Sequence, residues 1–161
     1  MSRLCTILIA VIAFAGAPLA HADDRAEKGV ESLSPELRSL LSKEMIAIQN
    51  GTMSLIGAYA SGNFEEIATI AGQIKNSYIL KQDMSRQQKH ELHQKLPKSF
   101  IHLDQQFHKY AGLLEEAARN NNDELIGFYF SRLVDSCSGC HSQHAKHKFP
   151  AFEGQDEESA H

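Results

Sequence analysis

From residue 34 onward the apolar side chains recur at steps of three and four, and nowhere do they alternate with the period of two that marks a strand. "LSPELRSLL" supplies a helix start, with Ser34 as N-cap, Pro35 at the first helical position and Glu36 in the first turn. Leu37, Leu41, Met45, Ile48, Thr52, Leu55 and Tyr59 then draw one stripe down a long helix that "SGN" at residues 61–63 stops. A second helix from Phe64 to Tyr78 carries Ile67, Ile70, Ala71 and Ile74 on one face. The polar stretch after it holds a short surface helix from Ser85, which Pro97 interrupts. Phe100, Leu103, Phe107, Tyr110, Ala111, Leu114 and Ala118 mark a third long helix, and "NNN" at residues 120–122 is a turn and cap. A fourth follows with Leu125, Phe128, Tyr129, Leu133, Ser136, Cys137, Cys140, His141 and His144 along one side, closed by Pro150.

Four amphipathic helices with mostly short connections predict an all-α fold, an antiparallel up-down-up-down four-helix bundle. The expected organisation is a secretory signal over residues 1–22, a flexible leader over 23–33, the helical domain over 34–149 and a disordered acidic tail over 150–161. A chain of 161 residues, 42% of them hydrophobic, suits one such domain. A formal charge of -4 argues against general nucleic-acid binding, which needs a basic surface to neutralise phosphates.

The signal reading rests on Arg3 before the apolar run Leu4 to Phe14, and on the small-x-small site Ala20-His21-Ala22 ahead of Asp23. The run is too short to make a comfortable membrane span, so no stable membrane insertion is expected after cleavage. Export removes Cys5 and Arg3, leaving Cys137 and Cys140 as the only cysteines and a charge of -5 instead of -4.

"SCSGCHSQHAKHKFP" therefore carries the chemistry. On a helix Cys137 and Cys140 lie one turn apart on one face, with His141 in the same sector. Three readings fit this spacing. Two thioethers and an adjacent imidazole attach a c-type haem. A zinc or copper site would recruit His144 and His147 to make a Cys2His2 set. A redox dithiol would normally stand at a helix N-terminus, where the helix dipole lowers the thiol pKa, whereas this pair is near a C-terminus. His90, His93, His102 and His108 read as solvated surface histidines.

A signal peptide, four helices and one CxxCH near the C-terminus resemble the class II cytochromes c, the cytochrome c prime superfamily, over about Ser34 to Phe149. "GTMSLIGAYASGNFEEIATIAGQI" is similar to the end of that family's first helix, its turn and the start of its second, and "LVDSCSGCHSQHAK" to its haem-binding fourth helix. The resemblance implies one covalent haem c on Cys137 and Cys140 with His141 as proximal iron ligand. It also implies periplasmic electron transfer or small-gas binding, and a homodimer is frequent in the family. The chain departs from the family pattern after the haem histidine, where His144 and Ala145 replace an aromatic and a basic residue.

The distal side of the iron decides between those functions, because a sixth ligand favours electron transfer and an open apolar site admits NO or CO. In an antiparallel bundle the end of the fourth helix lies beside the start of the first, where Met45 is roughly 15 Å along. Met45 is the distal ligand candidate, and Ile46 in its place would make the pocket apolar and the protein a gas binder. His144 shares a face with His141 and so cannot reach the opposite side of the ring. The leading expectation is a non-enzymatic, periplasmic, monohaem single-electron carrier serving periplasmic redox partner proteins. The alternatives are a five-coordinate NO- or CO-binding haem protein and a haem-free Cys/His metal-binding bundle.

Overall fold

The computed structural model describes residues 29–77 and 80–152. The expected signal, the leader up to Lys28 and the acidic tail beyond Phe152 lie outside the described residues. Within them the chain is all-helical, with no strand: α1 (Pro35–Ala60), α2 (Phe64–Asn76), the single turn α3 (Leu80–Asp83), α4 (Arg86–Lys95), α5 (Lys98–Arg119) and α6 (Asp123–His144). Short 3-10 turns cover Val30–Ser32, Lys146–Lys148 and Pro150–Phe152. No described helix is long and apolar enough to cross a membrane.

Side-chain caps explain the boundaries. Ser34 Oγ accepts from the Leu37 N–H, Asn63 Oδ1 from Glu66 and Asn122 Oδ1 from Leu125, each satisfying an N–H that the helix leaves unpaired. Ser85 and Gln88 form a reciprocal capping box that starts α4. The α1–α2 turn needs a left-handed residue, and Gly62 provides it at φ 67°. α2 ends at Asn76, short of the expected Tyr78, because Ser77 takes φ 58° and turns the chain out of the helix.

The main core joins Leu55 and Ala58 of α1, Ile67, Ile70, Ala71 and Ile74 of α2, Ala111, Leu114 and Ala118 of α5, and Ile126 and Leu133 of α6. A separate cluster forms at the other end, where Leu33, Leu37 and Leu96 pack with Val30, Leu92, Phe100 and Ile101. Within the expected leader Leu33 is 4% exposed and the Gly29 N–H donates to the Lys95 carbonyl at 2.9 Å. Beyond Phe149 the described chain continues into the turn Pro150–Phe152.

Two stripes depart in part from the sequence pattern, although Leu37, Ile48, Leu55 and Leu133 are buried as expected. In α1 the buried line is Leu37, Glu44, Ile48, Gly51, Leu55 and Ala58, which moves Met45, Thr52 and Tyr59 to its edge. A carboxylate occupies the core line because Glu44 Oε2 accepts the Leu80 N–H at 3.2 Å, a partner that no periodicity reveals. In α6 Ile126 is fully buried, whereas Leu125 and Phe128 are 40% and 48% exposed. The register of α6 is testable: Ile126→Ala should lower unfolding stability by about 2–4 kcal/mol in urea titration, and Leu125→Ala by under about 1 kcal/mol. Equal losses would mean the helix is rotated.

Candidate functional site

The motif lies on the last two turns of α6, between the two apolar clusters. Cys137 and Cys140 are half-buried free thiols, and the Cys137 thiol donates to the Leu133 carbonyl at 3.6 Å. Burial pushes both thiols up, Cys140 to about 11, with the Asp104 carboxylate and the Cys137 thiol adding to the effect. Groups held this firmly as neutral thiols are poor nucleophiles, the opposite of what a redox dithiol requires.

His141 is neutral at neutral pH, since burial lowers its basicity and no acid compensates. Its ring stacks on Phe149 with centroids 4.4 Å apart and planes 12° from parallel. The stack exists because α6 ends at His144 and not near Pro150: the Ala145 N–H makes the last bond, to His141, and the Lys146–Lys148 turn brings Phe149 back over the ring. His144 meets Phe100 of α5 edge-on at 5.5 Å, and its Nε2 is buried without a partner.

Helical phase shows what His141 faces. Gly127, Phe130, Val134 and His141 share a side of α6, and Phe130 and Gly127 of that side meet Tyr59 of α1. Met45, Thr52 and Tyr59, spaced by seven, form one line on α1 facing the same interval. The two helices touch where Tyr59 and Phe130 lie 6.1 Å apart, and Glu31, ahead of α1, lies 2.8 Å from His147, which follows α6. Between those points α1 and α6 make no extended backbone contact. Met45 is about 21 Å from Tyr59 along α1, and His141 about 16 Å from Phe130 along α6, so they stand within a helical turn of the same level. Measured from the buried Ile48, Met45 lies about 60° round α1 and Ile46 about 160°. Met45 is 38% exposed and Ile46 55%, in keeping with those angles.

Cys137, Cys140 and His141 are the residues that could hold a c-type haem. The described buried side-chain polar atoms without a partner are Thr52 Oγ1 on the α1 wall and His144 Nε2 on the α6 wall, and buried polar groups are otherwise almost always satisfied. Cys137 and Cys140 would hold the porphyrin edge, and His141 presents a neutral imidazole to a metal. A bare ion fits less well: among the described residues no three His, Cys, Asp or Glu side chains gather around a common point. His147, the fourth member of the expected Cys2His2 set, is engaged by Glu31 at 2.8 Å.

The remaining histidines divide. His90 Nε2 lies 2.9 Å from Gln94 Nε2 on the exposed side of α4, and His93 and His102 are exposed. His108 is not a solvated surface residue. Its side chain is 12% exposed, its Nδ1–H donates to the Ile74 carbonyl at 2.8 Å, and its Nε2 lies 3.5 Å from both Asp104 and Ser77. It holds the end of α2 to α5, a role invisible in sequence because it depends on where α2 stops. The chain matches no known protein family, and neither a curated protein nor a solved structure is similar to it at a significant level.

In chain prepared without any prosthetic group, alkylation of Cys140 should be slow at pH 8 relative to free cysteine and should accelerate through about pH 11. Raised thiol pKa values favour the folded state below the unfolded value near 8.5, and that contribution is lost as pH rises through the folded value. Thermal stability should therefore fall on the alkaline side; a rate plateau near pH 8.5 would contradict the burial of the pair.

Proposed function

We propose that this chain is a periplasmic, monohaem c-type cytochrome of the class II kind, an up-down-up-down four-helix protein that carries single electrons. The observation that supports the reading is the grouping of half-buried Cys137, Cys140 and His141 on the last turns of α6, a stretch that makes no extended backbone contact with α1. The Tyr59–Phe130 contact of α1 with α6 and the Phe100–His144 contact of α5 with α6 support the topology. A porphyrin supplies four of the iron's six ligands and the capacity to gain and lose one electron. Two protein ligands complete such a centre, which suits a site where no larger donor set converges.

The chain's own residues have definite tasks in this reading. Cys137 and Cys140 fix the cofactor edge covalently, and burial keeps their thiols protonated until attachment. His141 binds iron through a neutral imidazole that Phe149 holds in orientation. Met45 would offer a thioether from the other side. With His141 and Met45 holding it, the group would supply single-electron exchange, and the chain's own residues would bind and orient it without any substrate chemistry. Cleavage after Ala22 delivers the chain to the periplasm, where redox partners and a second copy are its expected companions.

Thr52 favours a second reading. Its buried, unpartnered hydroxyl lies on the same line of α1 as Met45, placed to donate to a small ligand if the methionine does not bind. That protein would be five-coordinate and would take NO or CO. A haem-free metal site is the weakest of the three, since its donors do not converge.

Co-expression with a cytochrome maturation system followed by a pyridine haemochrome spectrum should show attached haem c, lost in Cys137→Ala/Cys140→Ala. The oxidised protein should be low-spin and should show the weak long-wavelength band of methionine–iron ligation. Met45→Ala should convert it to high-spin iron that binds CO, whereas Ile46→Ala should leave the spectrum unchanged. Absence of haem sinks the first two readings together, and a high-spin native protein selects the gas binder.

A further inference from the structure

The chain is acidic as a whole, but its charge is not spread evenly. Residues 29–48, 80–109 and 135–152, which converge on the end that bears the CxxCH motif, carry ten Lys and Arg against seven Asp and Glu. The other end, residues 49–77 and 110–134, carries three against six. Of the seven acids Glu44 is only 1% exposed, and the Glu91–Lys95 pair at 3.0 Å removes one charge of each sign, which leaves the balance at this end positive. Lys98, at the start of α5, and Lys148, just after α6, are exposed and, among the described residues, pair with no carboxylate. Phe149, next to Lys148 in the chain, is 40% exposed and stacked on His141, while His144, one turn on from His141, meets Phe100 two residues after Lys98. An apolar centre over the functional side chain with a cationic rim is the anatomy of a steered protein–protein contact.

Resting on the electron-carrier reading, we propose that the end of the molecule centred on Phe149 and rimmed by Lys98, Lys146 and Lys148 is the docking surface for a redox partner with an acidic face. The overall negative charge points to a basic partner, but the Debye length is about 8 Å at physiological salt, so a partner in contact responds to the local lysines and not to carboxylates at the far end. The partner's carboxylates then orient it with Phe149 toward its own redox centre, the shortest exposed route to His141. The chain continues from this same end into Glu153, Asp156, Glu157 and Glu158, which makes its own tail the competing occupant.

The test uses the full mature chain and an oligoglutamate peptide as probe, with backbone amide shifts as readout, so it works whether or not haem is attached. The shifts should concentrate at residue 98 and residues 146–152 at low salt and fade at about 0.15 M salt. They should fall several-fold in Lys98→Glu/Lys148→Glu, a variant checked for folding by circular dichroism. Shifts at the acidic end, or shifts indifferent to the substitution, overturn the assignment. Binding that appears only in a chain ending at Phe152 gives the surface to the tail and overturns it equally. A parallel measurement keeps the two readings apart: near physiological ionic strength, electron exchange with ferrocyanide should fall several-fold in Lys98→Glu/Lys148→Glu, whereas exchange with hexaammineruthenium should not. An unchanged ferrocyanide rate refutes the docking surface and leaves the carrier intact, whereas a chain without redox-active haem refutes the carrier while the peptide map still judges the surface.

Discussion

Everything at the candidate site depends on how α1 is tethered to α6. Contact at one end comes from Tyr59 on Phe130, and at the other from the Glu31–His147 pair, with the intervening stretches left apart. The two tethers differ in kind. The aromatic contact is continuous with the main core and inherits its rigidity, whereas the ion pair is half-exposed and by itself weak. Leu33 and Leu37, packed on Leu96, do most of the anchoring at that second end. The short α4 therefore matters more than its polar sequence suggests. It presents Leu92 to this cluster, and Glu91 to the Ser34 N–H at 2.7 Å, which fixes the start of α1.

Between the tethers the protein tolerates features that a sealed core would not. Half-buried thiols, a neutral imidazole, a carboxylate on the core line and two unpartnered polar atoms all fall in this middle zone or beside it. A fold built only for its own stability would fill such a zone with Leu and Ile, because orphaned polar groups each cost about 1–3 kcal/mol. Their occurrence on the stretch between two apolar clusters is what distinguishes this region from ordinary irregularity.

The helices were legible in the sequence because period and caps agree: Ser34, Asn63, Ser85 and Asn122 all cap in the structure. Rotational phase was harder. A reader of hydropathy prefers Met45 to Glu44 for the core line and Leu125 to Ile126, and is wrong by one residue each time because the deciding contacts are with Leu80 and Tyr59, far away in sequence. Cys137, Cys140 and His141 could be picked out as a group because the motif is local. The roles of Phe149 and His108 could not, since each depends on where another segment stops: α6 at His144 and α2 at Asn76.

Gly127 illustrates how little separates these arrangements. A Cβ there would come within 2.8 Å of the Tyr59 hydroxyl, the far end of a side chain that is 38% exposed, so the phenol and not the helix would be the part to give way. The missing methyl group thus leaves the Tyr59 ring its seat against α6, and the aromatic contact between α1 and α6 owes its present form to a residue that would touch neither cofactor nor ligand.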